Sequence, residues 1–456
     1  MKRRFILYFL LLTVTCSLFS ACSGKLQVGA EQTREYLPLL QHKRVALFSN
    51  HTGMVGDKHT LDILVENGVN VTAIFSPEHG FRGTAGAGDN VANSVDEKTG
   101  VPILSLYNKG SYSPSEESMN QFDVLVVDIQ DVGLRFYTYY ISMVRLMDAC
   151  ADYSKQVIIL DRPNPNGFYV DGPILDMRFK SGVGWLPIPV VHGMTLGELA
   201  LMVNGEHWLT DGKQCDVKVI PCRHYTHQTL YRLPVPPSPN LQNMLAVYLY
   251  PSMCYFEATP VSLGRGTDLP FLCYGHPDYR IPANDSASLH SPLSASLNFK
   301  HSTFNYISFT PHSMSSALEP PQQDQLCYGI DLSTMSEQEA MQRGVDLTFL
   351  IDAYTNLMVP HDTLHSPLQT NPLSTSLNSK LNMNSPLQTN QLSTSLNSKL
   401  STLNSFFSPF FEKLIGVDYV RPMIEQGHSA EEICAMWKDD VEQFKQQRKP
   451  YLLYKE

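Results

Sequence analysis

The sequence predicts an α/β protein: a parallel sheet domain covered on both faces, followed by a second, smaller α/β domain. Three observations carry this. Five short runs rich in apolar β-formers lie between residues 44 and 160: Arg44–Ser49, Val71–Phe75, Pro102–Leu106, Val124–Ile129 and Val157–Leu160. Helical stretches separate several of them, among them Thr60–Asn67, stopped by Gly68, and Tyr139–Tyr153. Strands that are apolar throughout, alternating with helices, are the pattern of a parallel sheet buried on both sides. After Cys215 the pattern changes to a strand-like Asp216–Ile220, a proline-rich turn Pro236–Asn240, an apolar stretch Leu245–Phe256 and a Gly264-Arg265-Gly266 loop. A capping box, Ser429 with Glu432, opens a closing helix expected to reach about Gln446. These patterns place the first domain at residues 41–212 and the second at 213–456.

The first residues predict export. Met1-Lys2-Arg3-Arg4 is followed by an apolar run from Phe5 to Val14 and by small residues before Cys22. That order reads as a signal peptide over residues 1–21, and the run is about half the roughly 20 residues a spanning helix needs. The residues before Cys22 resemble a bacterial lipobox, although Phe19 stands where aliphatic residues are usual. Cys22 is therefore expected to carry lipid, with residues 22–40 as the anchor linker, and the membrane is met through acyl chains alone. Cleavage near Ala21 without lipidation is the plainer alternative. The expected location is the cell envelope, facing the periplasm or the outer surface.

Removing Lys2, Arg3 and Arg4 with the leader takes the formal net charge from −10 to −13. Such a surface disfavours nucleic acid and anionic lipid, so an anionic ligand has to be met by local basic groups. Seven cysteines follow Cys22, without paired CxxC spacing, which argues against a zinc cage or a dense disulfide framework. Cys215 and Cys222 are close enough in sequence to bridge, but buried free thiols are the expected state. Ser366–Lys380 recurs almost unchanged at Ser385–Lys399, and two near-copies of a Ser/Asn/Thr/Leu segment do not make a solenoid. Residues 362–405 are expected to form a disordered surface insertion.

Polar groups fall at the ends of the predicted strands. Asn50-His51 follows the first, Ser76-Pro77-Glu78-His79-Gly80 the second, Tyr107 the third, Asp128-Ile129-Gln130-Asp131 the fourth and Asp161-Arg162-Pro163-Asn164 the fifth. In an open α/β sheet the ligand crevice lies beyond the carboxyl ends of the strands, so these ends predict a site. Glu78 is the candidate acid, since a partly desolvated carboxyl keeps a proton it can give to a leaving oxygen; orienting the turn or pairing with Arg82 is its bland alternative. Asp128 and Asp131 are close carboxylates that can shift each other's pKa, hold a hydroxyl or activate water, and Asp131 equally suits a helix cap. Arg135 and Tyr137 mix a cation with an aromatic face, as sugar sites do, or simply pack. Thr195 and Glu198 form a capping box, which leaves His192 as a candidate for the site. Gly83, Gly86 and Gly88 run GxxGxG with no helix start behind them, so nucleotide chemistry is unsupported.

Several long motifs bear a resemblance to a known family. SNHTG (Ser49–Gly53), FSPEHGFRG (Phe75–Gly83), DIQDVGLRFYTY (Asp128–Tyr139) and LDRPNPNG (Leu160–Gly167) resemble the NamZ-type exo-β-N-acetylmuramidases. The likeness continues in order through PIPVVHGMTLGELA (Pro187–Ala200), PPSPN (Pro236–Asn240), FEATPVSLGRGT (Phe256–Thr267) and YLLY (Tyr451–Tyr454). The repeat insertion and residues 286–301 depart from it. The resemblance implies a Rossmann-like catalytic domain, no cofactor and no metal. It also implies hydrolysis of the β-1,4 bond after a non-reducing-end N-acetylmuramic acid of a peptidoglycan-derived muropeptide or disaccharide. By motif, Glu78 is the general acid and Asp128, ahead of Asp131, the second catalytic group, with the substrate's acetamido oxygen an alternative nucleophile that the carboxylate would orient. Asn50, His79, Gln130, Arg135, Tyr137, Asp161, Arg162, Asn164, His192, Glu257 and Arg265 are the substrate-binding candidates. Of these, Arg135, Arg162 or Arg265 is expected to pair with the lactyl carboxylate. A non-catalytic muropeptide-binding lipoprotein is the main competing reading; no protein or nucleic-acid partner is expected.

Overall fold

The computed structural model describes residues 24–77, 81, 94–106, 114–281, 305–359 and 406–456. The leader with Cys22, Glu78, His79, Tyr107, the glycines at 83, 86 and 88, residues 286–301 and the 362–405 insertion lie outside them.

The first strand, β1 (Arg44–Ser49), leads through a hairpin of β2 (Met54–Val55) and β3 (Lys58–His59) into the helix Thr60–Glu66 and β4 (Asn70–Ser76). There follow β5 (Ser94–Val95), β6 (Pro102–Ser105), β7 (Val124–Asp128), β8 (Gln156–Leu160) and β9 (Asp216–Ile220). They form one sheet in the order β5-β6-β4-β1-β7-β8-β9, parallel except for the edge strand β5. Because strand side chains alternate faces, the apolar runs split cleanly. Ala46, Phe48, Phe75, Leu125, Val127 and Ile159 join the core beneath the helix Tyr139–Asp152. Val45, Leu47, Ile74, Val126, Ile158 and Leu160 face the opposite way, against Leu61, Leu64 and Tyr36. Both layers are closed, as predicted from the strand composition.

Strand order fixes where a ligand crevice belongs. From β1 the chain moves outward to β4 and β6, then returns to β7 on the other side of β1 and continues to β8 and β9. Adjacent crossovers diverge between β1 and β7, and the gap opens beyond their carboxyl ends.

The strand Asp216–Ile220, expected in the second domain, pairs with β8 in register from Gln156↔Asp216 to Leu160↔Ile220. The boundary at residue 212 is therefore too early. As an edge strand β9 is only half covered, so it lacks the continuous apolar run that marks the inner strands. The second domain has its own antiparallel sheet of β10 (Cys273–His276), β11 (Asn305–Phe309) and β12 (Cys327–Asp331), ordered β10-β12-β11. Its helix Met244–Met253 runs into the turn Cys254–Ala258, the apolar stretch seen in the sequence. The closing helix is two helices, Ala430–Ala435 and Lys438–Arg448. Between them Trp437 is buried and its indole donates to Asp171 at 3.0 Å, which turns the chain. The Ser429/Glu432 capping box forms as read. All seven cysteines after Cys22 are free thiols, six of them buried. Among the described residues no helix is long and apolar enough to cross a membrane.

Candidate active site

The site is built on the divergence between β1 and β7. Asp128 ends β7 with no exposed surface. Arg162, just past β8, grips it with two bonds, Nε to Oδ1 at 2.6 Å and Nη2 to Oδ2 at 3.0 Å. Thr60 Oγ1 adds a third donor to Oδ2 at 2.5 Å. Burial lowers the Arg162 pKa, but the Asp128 charge outweighs it and leaves the guanidinium above its usual range. Arg162 Nη2 also donates to the Met54 carbonyl at 3.0 Å. This pair is a closed structural joint across three strand ends, with no free oxygen on the carboxylate.

Asn50 and Gln130 meet through Thr52. Asn50 Oδ1 accepts from Thr52 N at 3.0 Å and from Thr52 Oγ1 at 2.6 Å, while Gln130 N donates to that hydroxyl at 3.0 Å. His59 Nδ1 accepts from Leu61 N, so Nε2 carries the ring proton and donates to the Asn50 carbonyl at 2.7 Å. Gln130 Nε2 donates to the carbonyls of Asp131 and Pro163, both at 2.8 Å. Asn50 Nδ2 and Gln130 Oε1 have no partner among the described residues, although both side chains are buried.

Asp131 differs from Asp128. Its Oδ1 accepts from Gly133 N at 2.7 Å, and its Oδ2 makes no hydrogen bond among the described residues. Burial pushes its pKa up to about 7, tempered by the nearby amides of Gly133, Val132 and Tyr140. Gly133 has φ 76°, and a Cβ there would run into the Asn164 carboxamide, so the turn presenting Asp131 requires glycine. Asp131 is thus a carboxyl with one oxygen held and the other buried without a hydrogen bond among the described residues, and burial raises its pKa to about 7.

A wall closes over this floor. Tyr137 OH donates to the Pro237 carbonyl at 2.7 Å and Tyr139 OH to the same oxygen at 3.3 Å. A His51 ring nitrogen lies 2.9 Å from the Pro236 carbonyl. The Pro236–Asn240 turn is thereby fastened between the β1 and β7 ends. Tyr137 also packs edge-on against Tyr250, which lies within the field of Glu257 and Arg265. Arg265 is about a quarter exposed, pairs loosely with Glu257 at 3.7 Å, and leaves Nε without a partner among the described residues.

Other predicted residues have structural work. Arg135, expected among the substrate cations, is fully buried and bonds the carbonyls of Pro173, Ile188, Leu414 and Ile415 at 2.6–3.0 Å. It caps the helix Phe411–Ile415 from below, and the one donor it leaves without a partner among the described residues, Nε, is fully buried. Arg162 is withdrawn from that role by Asp128. Asp161 holds Thr195 Oγ1, Gly197 N and Tyr454 OH at 2.5–2.9 Å, with burial raising its pKa to about 6. It ties the C-terminal YLLY segment and a helix start to the β8 end. Asn164 joins the Met194 carbonyl to Asn166 N. His192 is buried, burial with Arg448 lowers its pKa to about 3, and among the described residues no hydrogen bond links it to the strand-end network. Glu198 completes the Thr195 capping box and receives the amide of Leu453 at 2.8 Å. Thr52 and Thr60, which join the network, were missed; the TG of SNHTG was the signal for Thr52. A separate hollow of about 740 Å³ lies between Phe168–Asp171 and the helix Glu337–Arg343, away from these residues. No cluster fit to hold a metal occurs among the described residues.

Two family models follow one another along most of the chain. The exo-β-N-acetylmuramidase NamZ N-terminal domain matches residues 45–245, and the NamZ C-terminal domain matches 248–454. The chain belongs to the NamZ exo-β-N-acetylmuramidase family. The NamZ domain junction near residue 246 agrees with β9 lying in the first sheet. A curated relative, the peptidoglycan β-N-acetylmuramidase NamZ of Bacillus subtilis strain 168, is 35% identical over 445 residues, covering 95% of this chain and 93% of that protein. A solved structure of a DUF1343 family protein from Bacteroides fragilis superposes with a TM-score of 0.75 at 55% identity, covering 95% of this chain and all of that one. A second from the same organism gives 0.70 at 26% identity, covering 94% and 99%. The NamZ-type resemblance read from the motifs and the two-domain α/β class both hold.

Proposed function

We propose that this chain hydrolyses the bond behind a non-reducing-end N-acetylmuramic acid of peptidoglycan fragments, with Glu78 as general acid and Asp131 as its partner. The carrying observation is the contrast between two carboxylates three residues apart. Asp128 is saturated by Arg162 and Thr60, whereas Asp131 keeps an open Oδ2 and a pKa near 7 at the strand divergence. A base must be partly ionised at working pH and still hold a proton well, which that value provides. Glu78 protonates the bridging oxygen as the C1–O bond breaks. Asp131 Oδ2 takes a proton from the water whose oxygen ends on C1, so the products are two sugars with free hydroxyls.

Arg265 supports the choice of sugar. Of the three arginines considered, it alone combines solvent exposure with a donor, Nε, that no described residue engages, and its charge acts on Tyr250, which packs against Tyr137. A guanidinium pairs readily with a lactyl carboxylate, and the Glu257 contact is long enough to yield. The basic-apolar-small leader before Cys22 supports an exported, lipid-anchored enzyme working where such fragments arise.

The test is the purified chain with N-acetylmuramyl-β-1,4-N-acetylglucosamine, following free N-acetylmuramic acid by chromatography. Release is expected, and Glu78→Gln should slow it about a hundredfold or more. A folded wild-type chain that binds the disaccharide without cleaving it would reduce the protein to a muropeptide-capturing module.

A further inference from the structure

Two buried carboxamides beside Asp131 are left half satisfied in complementary senses. For Asn50 the polarity is fixed: Thr52 N can only donate, so the atom it reaches is Oδ1, and Nδ2 is the unpartnered group. For Gln130 it is fixed oppositely. The carbonyls of Asp131 and Pro163 can only accept, so the atom between them is Nε2, and Oε1 is left open. Rotating either amide would set like against like. The floor therefore offers one oriented donor and one oriented acceptor, on side chains 0% and 3% exposed. Buried groups of this kind are costly to leave unpaired and are normally met by a ligand or an ordered water.

Their placement selects the ligand group. A trans secondary amide points its C=O and N–H in opposite directions, so its readers must stand on the two walls of a slot. Asn50 follows β1 and Gln130 follows β7, neighbouring strands about 4.8 Å apart whose crossovers diverge at this point. Thr52 Oγ1 bonds the Asn50 carboxamide oxygen and the Gln130 main-chain amide, tying the two strand ends together.

We infer that Asn50 Nδ2 and Gln130 Oε1 read the substrate's 2-acetamido group, the first donating to its carbonyl and the second accepting its N–H. The inference rests on the N-acetylmuramic acid reading above and deepens it. It makes the N-acetyl group, besides the lactyl ether, a requirement for binding. It also seats C2, and with it C1, beside the open oxygen of Asp131.

The experiment is calorimetric titration of N-acetylmuramic acid and of its 2-hydroxy counterpart, 3-O-lactylglucose, into wild type, Asn50→Asp and Gln130→Met. Asn50→Asp keeps the Oδ1 acceptor for Thr52 and exchanges the Nδ2 donor for a second acceptor oxygen, with the thermal melt reading any cost of the added buried charge. Wild type should prefer the N-acetyl sugar by at least about tenfold, because a site built to pair an amide rejects an analogue lacking it. Each variant should weaken N-acetylmuramic acid about ten- to a hundredfold and leave 3-O-lactylglucose within about twofold. Thermal melts of each variant separate lost recognition from lost folding, and the two substitutions test the pair independently. Unchanged preference in both folded variants, or equal losses for both sugars, overturns the amide-reading pair while leaving the substrate reading intact. Failure of wild type to bind N-acetylmuramic acid at all overturns both.

Discussion

Removing Arg162 tests whether the Asp128 joint holds the fold together. Arg162→Met deletes two bonds to the carboxylate and one to the Met54 carbonyl, leaving Asp128 with Thr60 Oγ1 as its one remaining side-chain donor among the described residues, at a site with no exposure. Breaking a buried pair from one side costs about 3–5 kcal/mol, because the remaining charge is uncompensated. Replacing both partners removes that charge, so Arg162→Met combined with Asp128→Asn should recover more than half of the loss. Guanidinium denaturation followed by the fluorescence of the three tryptophans gives the free energies. A single variant within about 1 kcal/mol of wild type, or a double variant less stable than the single, would refute the description of this pair as a structural joint.

Three further outcomes follow from the same geometry. Arg265→Met should lower kcat/KM for a chromogenic N-acetylmuramic acid glycoside about ten- to a hundredfold, with the N-acetylglucosamine glycoside little changed and the melt unaltered; an unchanged ratio removes Arg265 from lactyl recognition. Asp131 titrates near 7 in the fold against about 4 in the unfolded chain. A raised native pKa contributes stability that is complete below about pH 4 and is lost as pH rises through 7. Asp131→Asn should therefore be the more stable protein at pH 8, by at most about 4 kcal/mol, and the gap should close towards pH 4; denaturation at the two pH values reads it. Cys22→Ser should abolish metabolic labelling of the chain by palmitate in a bacterial host, and retained label would place the acyl chain elsewhere.

How much was legible follows the kind of physics each feature depends on. Inner strands announce themselves because both faces are buried: β1, β4, β6, β7 and β8 lie within a residue of their expected bounds. The half-covered β9 carries no such run and was put in the wrong domain. Polar strand ends pointed to the crevice, but which of them converge depends on strand order, which composition does not encode. Asp128 and Asp131 look alike in DIQDVG; only the arrival of Arg162 from β8 and Thr60 from the first crossover separates the engaged carboxylate from the open one. Arg135 read as a site cation because arginine beside aromatics does so often, whereas its four carbonyl partners come from residues up to 280 positions away. Polarity of the Asn50 and Gln130 amides was likewise out of reach, since their carbonyl and amide partners are tertiary.

Asp131 carries the proposed chemistry most directly. The deciding measurement is single-turnover release of N-acetylmuramic acid from N-acetylmuramyl-β-1,4-N-acetylglucosamine by Asp131→Asn, with product binding measured in parallel. Asparagine keeps the oxygen that accepts from Gly133 N and removes the proton acceptor at Oδ2. The account predicts a rate about a hundredfold or more below wild type with product affinity within about threefold. Near-wild-type release by the folded variant would contradict it.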